Sequence, residues 1–219
     1  MKEVNQQVVR FSTGYKGNDN VPCILQYQYT QMQPRYSRHR FFSVRVGSSS
    51  RKRAGLVFDV AEKILHEDFG EGSGSFPNDI AILKFSESII GPGAAYVALL
   101  PEDDNDFAHE RCDISGWGFS QFGLGLPEVL QAAKMTVLSE ECCAASYEDI
   151  GYDSINAGHV CVVSPNSDSC IGDSGGPLTC GNTLVGLTSF GVIGCLPGFP
   201  AAYTRITHFR QWIKDNSGI

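Results

Sequence analysis

Short runs rich in β-branched and aromatic residues recur along this chain, each closed off by Gly, Pro, Asn or Ser. They are FFSVRVG (41–47), AGLVFDVAEKIL (54–65), DIAILKF (79–85), KMTVLS (134–139), TLVGLTSFGVI (183–193) and AAYTRI (201–206). Such runs read as strands, and the pieces between them, GEGSGSFPND (70–79), PEDDND (101–106) and SPNSDS (164–169), read as turns. The clearest helix is THFRQWIKDN (207–216), with Thr207 as its expected N-cap and Phe209, Trp212 and Ile213 on one face. Many strands, a terminal helix and no repeats or linkers predict an all-β barrel or sandwich.

Composition narrows the class. With 24 glycines, 10 prolines and only 19% charged residues, the chain is turn-rich and compact rather than disordered. Its 219 residues suffice for one all-β domain or for two half-size units sharing a core. A net charge of -7 excludes a broad phosphate-facing field, so no nucleic-acid partner is expected. The one basic run, Arg51-Lys52-Arg53, reads as a solvated loop tip. No apolar run is long enough to cross a membrane, and no membrane partner is expected. Eight cysteines point to an oxidising compartment, and the five histidines show none of the spacing of a zinc site. The opening MKEVNQQVVRF lacks the apolar stretch of an export signal, which for a disulfide-type chain suggests a missing or rearranged N-terminus.

The candidate chemistry lies in DSCIGDSGGPLTC, residues 168–180. A serine hydroxyl is a weak nucleophile at neutral pH and needs a base to take its proton. Around Ser174, the glycines Gly172, Gly175 and Gly176 permit backbone conformations that let amide N–H groups converge, as an oxyanion hole requires. Taken alone, the motif would favour a glycine-rich turn merely capped by its serine. The flanking cysteines and a second set of motifs favour the catalytic reading.

Those motifs are NDIAILKF (78–85), CDISGWG (112–118), GDSGGPL (172–178) and TSFGVIGC…AAYTRI…WI. Together, and in this order from about Val44 onward, they closely resemble the trypsin/chymotrypsin family of serine endopeptidases. The resemblance implies two packed six-stranded antiparallel barrels with a C-terminal helix. The first barrel (about 1–110) is expected to be incomplete and the second to span about 111–219, the whole forming one domain, 1–219. It implies Ser174 as nucleophile, Asp79 as the carboxylate that orients a histidine, and Gly172 and Ser174 as oxyanion donors. Asp168 would lie at the floor of the specificity pocket, where a carboxylate pairs a substrate Arg or Lys. Ser189, Phe190 and Gly191 would pair with extended substrate as an added strand. Ala201 stands where trypsin-like pockets usually have glycine, so the pocket should be narrower. The resemblance also implies the disulfides Cys112–Cys180, Cys143–Cys161 and Cys170–Cys195, which spacing alone could not pick from roughly a hundred pairings. Cys23 and Cys142 are left to bond to each other, stay free or link to another chain.

The base is the missing part. The family's T-A-A-H-C and C-G-G-S-L motifs do not occur, and the segment VPCILQYQYTQMQPRYSRHRFFSVRVG (21–47) is too short to contain them. His39 is the only histidine there, flanked by Arg38 and Arg40. His66 reads as a structural surface residue, and His109, His159 and His208 fall in loops or beside the helix. Family zymogens are cut to free an ammonium that pairs with the aspartate before the nucleophile, here Asp173. No matching Gly-Gly follows VVRFSTG, so Asp173 is expected to be buried without that partner, which is unfavourable. No metal or other cofactor is expected.

Two functional classes follow. One is a secreted, monomeric trypsin-like endopeptidase cleaving after Arg or Lys, impaired by the absent histidine motif. The other is a non-catalytic homologue that uses the inter-barrel cleft to bind a protein ligand. Residues 1–45 are expected to be irregular, lacking one barrel strand and leaving edges partly unpaired.

Overall fold

In the computed structural model, the described residues are 23–25, 43–86, 101, 104–119, 125–152 and 154–218. They form ten strands and two helices: β1 Cys23–Leu25, β2 Ser43–Val46, β3 Leu56–Leu65, β4 Ala81–Phe85, β5 Arg111–Gly116, β6 Gln131–Val137, α1 Glu140–Glu148, β7 His159–Val163, β8 Pro177–Cys180, β9 Thr183–Phe190, β10 Ala201–Arg205 and α2 Arg210–Ser217. The first half is a four-stranded antiparallel sheet in the order β1-β4-β3-β2, and the second closes into a six-stranded barrel, β10-β7-β6-β5-β8-β9. Among the described residues, one barrel is therefore complete and the other is an open sheet, in line with the expected incomplete first barrel. The stretch expected to be irregular contributes β1 and β2; the rest of residues 1–42 lies outside the described set.

Two cores follow from strand alternation. Val44, Val46, Phe58 and Phe85 pack on one face of the first sheet, while Cys112, Ile114, Met135, Val137, Val160, Val162, Leu178 and Tyr203 fill the barrel. A third cluster spans the seam: Ile80 and Ile82 beside and on β4 meet Leu184 and Leu187 on β9, together with Ile206, Phe209 and Ile213. The predicted apolar face of α2 is thus the face that joins the halves. Its N-cap is Phe209, without a side-chain cap bond, and not Thr207, because residues 206–209 form a turn that carries Phe209 into the core. His66 stacks on Trp212 with ring centroids 5.0 Å apart, and Trp212 Nε1 donates to Glu67.

Three features depart from the sequence reading. Helix α1 is not among the expected elements; Ser139 caps it by accepting from Cys142 N–H, and Glu140 and Glu141 complement its N-terminal dipole. The basic run is not simply a solvated tip. Arg51 N–H donates to Glu128 O, Arg51 Nε to Pro127 O, and Arg53 pairs with Glu128 at 3.2 Å, bracing the first sheet against the approach to β6. His159 lies not in a loop but at the start of β7, 3% exposed. The three expected disulfides, Cys112–Cys180, Cys143–Cys161 and Cys170–Cys195, are all present, and Cys142 is an exposed free thiol.

The seam cluster generates a prediction. Ile213 is fully buried at the point where helix, sheet and barrel meet. Replacing it by alanine should lower unfolding free energy by about 2–5 kcal/mol, read as a lower urea midpoint at unchanged slope.

Candidate active site

Asp79 precedes β4 and is 1% exposed. A buried carboxylate must be hydrogen-bonded, and its Oδ2 accepts from Ser189 Oγ on β9 at 2.9 Å. Its backbone carbonyl accepts from Thr204 Oγ1 on β10 at 2.8 Å. A residue of the first sheet is thereby held by two strands of the barrel. Ser189 is itself buried, Phe190 is half-buried, and Gly191 is exposed just past the end of β9.

Ser174 is half-buried on the turn that leads into β8. That turn needs glycine at Gly172, where φ is +101°, a region that L side chains avoid. Gly175 N–H donates to Thr188 O and Gly176 N–H to Asp173 O, which fixes the backbone on either side of the Ser174 turn. The turn is fixed further by Asp173, whose carboxylate accepts from Gly118 N–H at 2.7 Å and Cys170 N–H at 2.9 Å. Two backbone amides thus satisfy the Asp173 carboxylate; the residues that would carry an N-terminal ammonium lie outside the described set. A Cβ at Gly116 or Gly118 would overlap the Asp173 carboxylate, so the glycines of CDISGWG make room for it. Burial nevertheless raises the Asp173 carboxyl above its ordinary range, against the pull of both amides.

Asp168 and Asp173 line one cavity of about 440 Å³, walled by Ser115, Gly116, Gly118, Ala132, Ala133, Thr188 and the Cys170–Cys195 bond. Burial pushes the Asp168 carboxyl up to about 6, and the neighbouring Asp173 charge adds to the rise. Tyr203, fully buried, also borders this space. Ser174, Ser189, Phe190, Gly191 and Ala201 do not line it; Ala201 faces Gly191 from the start of β10. His39 lies outside the described residues, as does the side chain of Cys23.

Among the described residues, the one cluster with metal-ligating atom types is Glu110 with Cys112 and Cys180. Those two sulfurs are bonded to each other and supply no thiolate.

Sequence reading misses a contact across the seam. Ser75 N–H donates to Ser154 O at 2.8 Å, and Asn156 Nδ2 donates to Ser73 O. Phe76 rests against Phe190 with centroids 5.8 Å apart. These partners are far apart in sequence, and no local pattern marks them.

The Asp168 environment sets a pH dependence. Its folded pKa, about 6, lies above the ordinary 3.8, so the charged form penalises the fold above about pH 6, and the penalty fades as pH falls toward 3.8. An Asp168→Asn variant should therefore melt above the parent at mildly alkaline pH. That margin should shrink to nothing near pH 4 in thermal scans across the range.

Comparison with known proteins gives a consistent result. The family model described as Trypsin matches residues 36–213. The fibrinolytic enzyme isozyme C of Lumbricus rubellus is 41% identical over 169 residues, covering 73% of this chain and 70% of that protein. A chymotrypsin-like serine proteinase of Haliotis rufescens is 34% identical over 157 residues, covering 68% and 59%. Trypsin 5G1 of Aedes aegypti is 32% identical over 179 residues, covering 80% and 66%. The chain thus spans 59–70% of these relatives' own length. Among solved structures, HL collagenase superposes with a TM-score of 0.76 at 26% identity, over 92% of this chain and 84% of that one. Neuropsin, a serine protease of mouse brain, gives 0.73 at 28%, over 90% and 85%.

Proposed function

The chain belongs to the trypsin family of serine proteases, and from that premise we propose that it is a trypsin-like endopeptidase by design whose turnover is impaired. In this reading Ser174 is the nucleophile, Asp79 the orienting carboxylate, and the Gly172 and Ser174 amides the oxyanion donors. Asp168 selects a polypeptide with Arg or Lys before the scissile bond, by a charge-assisted hydrogen bond. Ser189, Phe190 and Gly191 pair with the substrate backbone as an added strand. Ala201 adds a methyl opposite Gly191 and lowers the efficiency of that selection. The protein acts as a secreted monomer, in keeping with its three disulfides.

The observation that carries this reading is the buried Asp79 carboxylate, hydrogen-bonded to Ser189 at the seam of the two halves. A carboxylate kept dry there serves to hold an imidazole in one tautomer and to stabilise its protonated form. The histidine motif that should meet it is absent from the sequence. His39 stands between two arginines that favour solvent and oppose an imidazolium. Loss of the base lowers turnover by on the order of 10⁶-fold in a serine protease. The absent motif equally supports a second reading, in which the cleft serves as a binding surface for a protein ligand.

Labelling tests whether the chain holds a working base. Purified chain incubated with a serine-directed phosphonate should label Ser174 slowly, and His39→Ala should leave that rate unchanged. Rapid labelling that disappears in His39→Ala would instead identify His39 as a working base. For selectivity, an arginine-containing peptide should bind the chain more tightly than its phenylalanine counterpart in calorimetry. Asp168→Ser should abolish that preference; equal binding of both peptides by the parent would refute the role of Asp168.

A further inference from the structure

We propose that His159 is a positioning residue: as a neutral imidazole it latches the 70–78 loop of the first sheet onto the second barrel, and so holds Phe76 against Phe190 at the cleft edge. The latch itself stands on hydrogen bonds and ring contacts within the chain; only its bearing on a bound polypeptide rests on the proposed function.

The imidazole is 3% exposed, and its Nδ1 accepts from Asn156 N–H at 3.1 Å. With Nδ1 an acceptor, the neutral ring carries its proton on Nε2. The ring therefore ties β7 to the 154–158 turn, and it is that turn that grips the 70–78 loop. The turn is shaped for the same purpose: Asn156 Oδ1 accepts from Gly158 N–H, while its Nδ2 donates to Ser73 O. Ser75 adds two bonds to Ser154, backbone to backbone and hydroxyl to hydroxyl. Gly74 closes against Ser154 O so tightly that a Cβ would meet it at 2.8 Å.

The loop needs this hold. Phe76 and Asn78 both have left-handed backbone, φ +49° and +58°, and Phe76 is 41% exposed. A bulky residue in that conformation persists only where its surroundings over-determine it. The surroundings are Phe190, which Phe76 touches, and His159, whose ring meets Phe190 edge-on at 5.3 Å. Three residues after Phe76 comes Asp79, and one before Phe190 comes Ser189, its hydrogen-bond partner. The latch thus sets the wall immediately beside that pair.

Protonation would undo it, because a protonated Nδ1 becomes a donor facing the Asn156 N–H. The surroundings oppose protonation near neutral pH. Burial pushes the imidazole down to about 4, the polar backbone at Ser75 works the other way, and the Arg205 and His208 charges lower it further. Arg205 Nε donates to His159 O, while its Nη2 pairs with Glu140 at 3.3 Å. Phe190 packs an uncharged ring on it and sits in turn against Tyr147 of α1. The latch is therefore closed from neutral pH down to about 4 and opens below.

Amide hydrogen exchange of the full chain, read by mass spectrometry, tests this without any substrate. At neutral pH, His159→Leu should speed exchange within 70–79 about tenfold, within the range of one lost hydrogen bond, and leave β5 unchanged. His159→Gln, whose amide oxygen can accept from Asn156 N–H, should match the parent. Through about pH 4, after correction for intrinsic rates, the parent should lose protection in 70–79 ahead of β5, and His159→Gln should not. Parent protection in 70–79 that tracks β5 throughout, or a glutamine variant that loses it as early as the parent, would overturn the proposal. The parent and His159→Gln decide the question even if the leucine variant fails to fold.

Discussion

One buried aspartate is bonded to two strands across the seam between the halves. Asp79 belongs to the first sheet, yet its Oδ2 is bonded to β9 and its carbonyl to β10. A charge in such a place is tolerated only with partners in good geometry, and removing one partner penalises the fold more than the bond itself is worth. The seam therefore has one allowed docking. Around it the apolar contacts of Ile80, Ile82, Leu184 and Ile213 supply adhesion without direction, and the carboxylate supplies the direction.

A second polar constraint orders the nucleophile turn. Asp173 draws Gly118 and Cys170 amides onto its two oxygens, and glycine at 116 and 118 is the steric condition for that approach. The CDISGWG and GDSGGPL motifs are thus two sides of one contact, which is why they occur together. The same packing brings Asp168 and Asp173 to a common cavity, where burial makes both carboxyls reluctant to ionise.

Legibility follows the range of the interaction. Strands whose residues alternate or run as β-branched blocks, such as β3, β4, β9 and β10, are readable because the signal lies within the segment. So is the apolar stripe of α2, although the turn feeding Phe209 into the core moves its start beyond Thr207. Helix α1 buries only Cys143 and Tyr147, a stripe too narrow to show as a period. Disulfides and the placement of Asp79 come through resemblance to a family, not through spacing. His159 reads as a loop residue because nothing local distinguishes it from a strand histidine whose ring accepts from the neighbouring turn. Its partners become visible only when residues 73–76 and 154–156 are seen side by side.

The terminal helix has a consequence for how the molecule is made. Trp212 of α2 reaches back to Glu67 across a sequence separation of 145, and Ile213 completes the cluster begun by Ile80 and Ile82. On the ribosome, β3 and β4 emerge long before the residues that cover them. Until α2 arrives, that face of the sheet remains wet and adhesive, a site for chaperones or for mispairing. The barrel strands all come from the second half, so they can pair with one another once that half has emerged. Synthesis thus leaves the amino-terminal half exposed while the carboxy-terminal half assembles, and the final helix acts as the clasp that closes both.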